Sequence, residues 1–266
     1  MDPTPIIVFS AYAIYGALLY SFGGAHGRER AYAVWHSAFI SAALYATAVA
    51  MGYVLGALIQ YYVSISGVTP RCLSYFQPAG LEQVYNAASQ ATRCAADVFQ
   101  RHFNAIAESY GWIFGVSTVT GILVVLSAYS MGLFQAAMPF SAVATSALVA
   151  LGAATAATQL TLGFALLLPI GAILVTYERT RPIGALLLGA GIAFPAVLAG
   201  GADVLAQTPT TYIWFWKYLL LGELVKEAGH VAYIAAVTTM TLLLASAATY
   251  AISRIYDHAG AHLSVE

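Results

Sequence analysis

Between Glu108 and Glu178 the chain runs 69 residues without a single Asp, Glu, Lys or Arg. A hydrocarbon core of ~30 Å takes ~20 apolar residues per helical span. The run therefore holds two or three spans, and the basic pair Arg179 and Arg181 marks where the chain returns to water. Composition agrees, with 61% hydrophobic and 8% charged residues and a mean hydropathy of +0.78, against roughly 25% charged in a typical soluble domain. The sequence predicts an all-α, polytopic transmembrane helical bundle of six to seven spans, with residues 1–266 as one integral membrane domain. Small residues recur, as in 152–158 and Gly189-Ala-Gly191. Close backbone approach there replaces the hydrophobic drive that lipid cannot supply.

The only two cysteines, Cys72 and Cys94, fall in the one long polar stretch, 66–110. A thiol pair with no other cysteine in the chain predicts a disulfide, which belongs outside an ordinary cytosol, and closing that loop contributes ~3 kcal/mol in the chain-entropy model. The stretch is expected to be an external loop with one or two short helices, at 81–85 and 98–106, where apolar residues recur at three-to-four spacing. Asparagine is confined to Asn86 and Asn104, a weak pointer to a thermophilic source, where intracellular disulfides also occur.

Spans are expected over 5–23, 33–65, 112–134, 184–205 and 231–255. The 37 residues from Phe140 to Thr176 read either as one helix taller than the bilayer or as a hairpin of two short spans turning near Gly152. If Arg28 and Arg30 are cytoplasmic, the cysteine loop lies outside. Only the hairpin then returns Arg179 and Arg181 to the inside. That count favours seven crossings over six and puts the N-terminus outside the cell membrane. Segment 207–230 combines an aromatic cluster around Trp214 and Trp216 with Glu223, Lys226 and Glu227, a composition suited to an amphipathic helix lying on the interface.

Six histidines invite a haem reading, because a membrane cytochrome needs two imidazoles opposite one another. His36 and His230 sit near span starts, but the other four lie in polar segments, so interfacial histidines are the better reading and no cofactor is expected. Asp203 is the one carboxylate placed inside an expected span, which makes it a candidate for a functional polar contact. Its nearness to Gln207 and Pro209 fits a headgroup-level acid equally well. Glu178 beside Arg179 and Arg181 reads as a local ion pair. No Walker A loop, HExxH, GxSxG or dinucleotide fingerprint occurs. The sequence thus predicts a non-enzymatic protein that draws energy from another.

In 168–187 the chain has Pro169, Ile170 and Gly171 at the end of one span, then Tyr177, Thr180 and Arg181, then Gly184 and Leu187 opening the next. This pattern resembles one in archaeal polytopic membrane proteins of the Ced and Ted DNA-import machineries, relatives of the multi-span channel subunit of bacterial conjugation and type IV secretion systems. Val175 stands where that pattern has an arginine, and Pro182 directly follows the Thr-Arg. The resemblance implies an oligomeric channel or platform subunit in an archaeal, hyperthermophilic cell membrane. It also implies an external loop after the second span, a separate hexameric ATPase, a pilus-type subunit, and DNA as the transported substrate. Independently of any family, Pro169 removes a backbone hydrogen bond and Gly171 a side chain, which predicts a kink or hinge near the membrane face. Arg179 and Arg181 are placed to meet lipid phosphates, a nucleic-acid backbone or an acidic partner. A small-solute transporter or permease subunit, a haem-binding electron-transfer subunit and a plain membrane anchor are the competing readings.

Overall fold

The computed structural model describes residues 4–77, 81–122, 127–210 and 221–263. They form six α-helices and one 3-10 turn: α1 (Thr4–Phe22), α2 (Gly24–Ile65), the turn (Leu73–Phe76), α3 (Leu81–Ile122), α4 (Ser127–Val175), α5 (Arg181–Ala206) and α6 (Leu221–Leu263). No strand occurs among the described residues. Four stretches are long and apolar enough to cross a membrane, Gly24–Ile65, Ala137–Leu162, Arg181–Ala206 and Val225–Ala261, and Ile6–Phe22 is a shorter apolar helix. With no water to satisfy the backbone in hydrocarbon, helices are the form such segments must take. This is an all-helical membrane protein.

The helices are fewer and taller than the sequence predicts. The short helices expected at 81–85 and 98–106 belong to one unbroken helix, α3. The residues between the expected span 112–134 and Phe140 are helical, and α4 passes through Pro139, Gly152 and Pro169, so the hairpin turning near Gly152 is not formed. Ala is the best helix former, and 152–158 is mostly alanine, so nothing there stops the helix. Residues 123–126, between α3 and α4, and 211–220, which hold the aromatic cluster, lie outside the described residues. Of the expected interfacial segment, 221–230 is simply the start of α6. At 1.5 Å per residue, the 49 residues of α4 extend about 74 Å, more than twice a hydrocarbon core.

The α5 helix is the axis. Of the four stretches apolar enough to cross a membrane it is the best buried, and its 26 residues make about 39 Å, the length of one crossing. Glycine on α5 sets how close its neighbours come. A methyl group at Gly189 would lie 2.6 Å from the Thr249 carbonyl oxygen of α6, one at Gly184 would lie 2.6 Å from that of Gly171 in α4, and one at Gly200 would lie 2.9 Å from Ile59 of α2. These contacts also fix direction. Gly191 meets Leu168 and Gly184 meets Gly171, so α4 is antiparallel to α5; Gly189 meets Thr249 and Gly201 meets Thr241, so α6 is too. Gly52 lies by Ile192 and Ile59 by Gly200, so α2 runs parallel.

Because the Gly189 contact is with backbone, Gly189→Val must push α5 and α6 apart. Overpacking of this kind costs about 1–3 kcal/mol. The variant is expected to unfold earlier than wild type in detergent, as read by thermal loss of helical circular dichroism, whereas Gly115→Val, where an added methyl meets nothing among the described residues, is expected to change little.

Candidate functional site

Two constructions hold the polar residues that the sequence singles out, one at each end of α5. At its C-terminal end Asp203 is fully buried. Its Oδ1 accepts the Cys72 N–H at 2.6 Å and its Oδ2 the Leu73 N–H at 2.9 Å. A carboxylate receiving the free N–H groups at the start of a helical turn is the arrangement of an N-cap, here supplied from 130 residues away. Cys72 is bonded to Cys94 of α3, with Cα atoms 5.4 Å apart. Two turns further along α3, buried His102 donates its Nε2–H to the Leu205 carbonyl at 3.1 Å. The chain is therefore closed into a circuit: Asp203 to the 3-10 turn, the turn to α3 by the disulfide, and α3 back to α5 through His102. The expected disulfide is present, and Asp203 serves as the cap of a turn.

Beside the disulfide lies an open depression of about 250 Å³ lined by Arg71, Tyr75, Gln90, Arg93, Asp97 and Arg101, with Cys94 and Val98 at its base. Arg93, Asp97 and Arg101 are exposed. No ion pair engages any of the three among the described residues. The sequence reading passed over this group because its members lie scattered along a stretch expected to be a loop. Their spacing of four (93, 97, 101) was the available signal.

At the other end of α5, the 168–187 segment makes the tight connection from α4. Arg181 N–H donates to the Tyr177 carbonyl at 2.9 Å, and the Thr180 hydroxyl to the Leu174 carbonyl at 2.9 Å. Gly171 and Gly184 face each other across the helices, and Pro169 is buried within a helix that continues through it. Val175 is fully buried, with Gly260 of α6 against it, so an arginine has no room there. Arg179 and Glu178 are exposed and form no ion pair among the described residues, contrary to the expected local pair. Arg181 packs its stem against Gly260, leaving Nε buried without a partner among the described residues. A hydroxyl cluster that has no signature in the sequence ties this turn to the hairpin of α1 and α2. In it Thr176 shares a 2.9 Å hydrogen bond with Ser37 of α2, and Tyr177 meets Tyr12 of α1.

His36, next to Ser37, belongs to this lower end, whereas His230 pairs with Glu227 near the start of α6, whose Val231 and Ile234 share a core with Leu205. The two imidazoles are not brought together. No cluster of metal-ligating side chains occurs among the described residues.

Removing the Asp203 carboxylate strands two buried N–H groups, each costing about 1–3 kcal/mol, and opening the disulfide forfeits about 3 kcal/mol. Both hold the same turn. Asp203→Ala and the Cys72→Ser, Cys94→Ser pair are therefore expected to lower the thermal midpoint in detergent by less together than the sum of their separate effects. Strictly additive losses would show that the turn does not couple them. No family model, no curated protein and no solved structure matches this chain.

Proposed function

We propose that this chain is a non-enzymatic channel or platform subunit of a DNA-import apparatus in the cell membrane, working as an oligomer with a separate ATPase and a pilus-type subunit. The reading is carried by the 168–187 segment, whose Pro-Ile-Gly, Thr-Arg and Gly elements resemble those of conjugation-like import proteins. Here they form one tight, interhelical turn, with Arg179 exposed at its tip. Arg179 is then a contact for a phosphate backbone, a lipid headgroup or an acidic partner on that face. The reading keeps the N-terminus outside, with Arg28 and Arg30 on the cytoplasmic side by the positive-inside rule. The tall helices suit a platform, since α3, α4 and α6 rise well past the end of α5 and offer partners surface there.

A second reading, a conduit for small polar solutes, is favoured by one observation: the exposed face of α3 from Gln90 to Glu108 is polar throughout. A passage lined by that face conducts ions or solutes whether or not DNA is its cargo. An electron-transfer role finds no support in the placement of His36 and His230.

Deleting the gene in its host and measuring exchange of chromosomal markers, with the deletion strain as recipient and as donor in turn, separates the first two readings. Loss of exchange in the recipient role, restored by the wild-type chain, is the expected result. Normal exchange in both roles sinks the DNA reading and leaves the solute conduit.

A further inference from the structure

Arg71 and Arg93 are distant in the chain, but each is the immediate neighbour of a bonded cysteine, Cys72 and Cys94. With those two Cα atoms 5.4 Å apart, the covalent bond gathers both arginines into the depression beside it. Arg101, two turns along α3 from Arg93, lines the same depression. The backbones that carry them are pinned. The Cys72 and Leu73 N–H groups are held by the buried Asp203 carboxylate, and α3 is held by the hydrogen bond from His102 to Leu205.

Like charges gathered in this way repel, and a solvated helix face ordinarily relieves the repulsion with internal pairs. Asp97, one turn from both Arg93 and Arg101, stands at the spacing that such pairs use. Even so, no ion pair engages Arg71, Arg93, Asp97 or Arg101 among the described residues. Behind the turn the Asp203 carboxylate attracts Arg71, but both its oxygens are taken up by main-chain N–H groups. The lining thus sets three guanidinium groups against one carboxylate, an excess of positive charge presented to whatever enters. Guanidinium forks match phosphate oxygens two at a time, and a phosphate monoester carries about −1.5 to −2 at neutral pH.

The other lining groups choose among phosphates. Asp97 repels a bare phosphate but accepts a hydrogen bond from a hydroxyl, and Gln90 and Tyr75 each both donate and accept. The volume of about 250 Å³ is several times the ~30 Å³ share of one water molecule, so a phosphate fits with a short polyol attached. The geometry points to this depression as a binding site for a phosphate ester of a small polyol, a group that occurs both in free glycerol or sugar phosphates and at the head of a phospholipid. The arginines hold the phosphate, and Asp97 takes a hydroxyl of the polyol. This site goes beyond the DNA-import reading and does not rest on it.

The test is isothermal titration calorimetry of the full-length chain, disulfide intact, in an uncharged maltoside detergent and phosphate-free buffer. Glycerol 3-phosphate is expected to bind saturably and about tenfold more tightly than inorganic phosphate, because only the ester satisfies Asp97. Arg93→Gln with Arg101→Gln is expected to weaken it by about tenfold or more, whereas Arg254→Gln, at an arginine of α6 bonded to Tyr250, leaves it unchanged. Asp97→Asn is expected to narrow the preference for the ester over inorganic phosphate, a change that loss of packing does not produce. Arg93, Asp97 and Arg101 are exposed, so these variants are expected to keep the wild-type thermal midpoint. Short-chain phosphatidylglycerol distinguishes the sources: binding much tighter than that of glycerol 3-phosphate supports a lipid headgroup as the occupant, and equal binding supports a soluble ester. Failure of both to bind, binding that survives the double arginine change, or inorganic phosphate that binds as tightly as the ester would overturn the proposal. A short single-stranded oligonucleotide that binds more tightly than either ester would overturn it too, because the depression would then be a nucleic-acid contact. Marker exchange enters none of these measurements, so the site and the DNA-import reading stand or fall separately.

Discussion

The carboxylate of Asp203 is the constraint on which the upper half of the molecule depends. It takes two backbone N–H groups that would otherwise be buried and unpaired, and so pins the 3-10 turn under the end of α5. The disulfide transmits that position to α3, and His102 returns it to α5. Each link alone is modest. Together they add polar ties to an apolar contact, in which Ala87, Ala91, Ala95, Val98 and Phe99 of α3 share a core with Ala196, Ala199 and Ala202 of α5.

Below that circuit the structure is governed by absent side chains. Lipid is as apolar as leucine, so helices associate in it by dispersion and close contact rather than by expulsion of water. The α5 helix achieves this on every side: Gly184 toward α4, Gly189 and Gly201 toward α6, Gly200 toward α2. The hydroxyl cluster of Ser37, Thr176, Tyr12 and Tyr177 adds polar contacts at the opposite end. The central helix is thus fixed at both ends by hydrogen bonds and along its length by glycine.

How much of this was legible in the residues follows from what each signal measures. A charge-free run reports the solvent, so the membrane class and the apolar spans could be read directly. Cys72 and Cys94 were legible as a pair because no third thiol competes. The continuity of α3 and α4 was not, because span counting assumes one crossing per apolar stretch, whereas nothing in alanine-rich helix interrupts the backbone at Gly152. Asp203 could be marked as unusual from its place in a span, but its partners are main-chain groups, which have no sequence signature. The motif glycines Gly171 and Gly184 each face the other's backbone, a contact across two helices that the missing side chains permit but that the pattern along one chain does not disclose.

Hydropathy averages around a helix, and that is why α3 looked like a loop. Between Gln90 and Glu108 its polar and apolar residues nearly cancel in any window, although they occupy opposite faces. A lipid-facing helix has no use for such a division; a helix with protein on one side and water on the other requires it. The division in α3 begins within the disulfide-tied circuit and continues to Glu108, where the charge-free run starts and exposed Trp112 follows. The polar face of α3 thus ends where the charge-free run begins, so the change of surface falls within one continuous helix rather than between two segments.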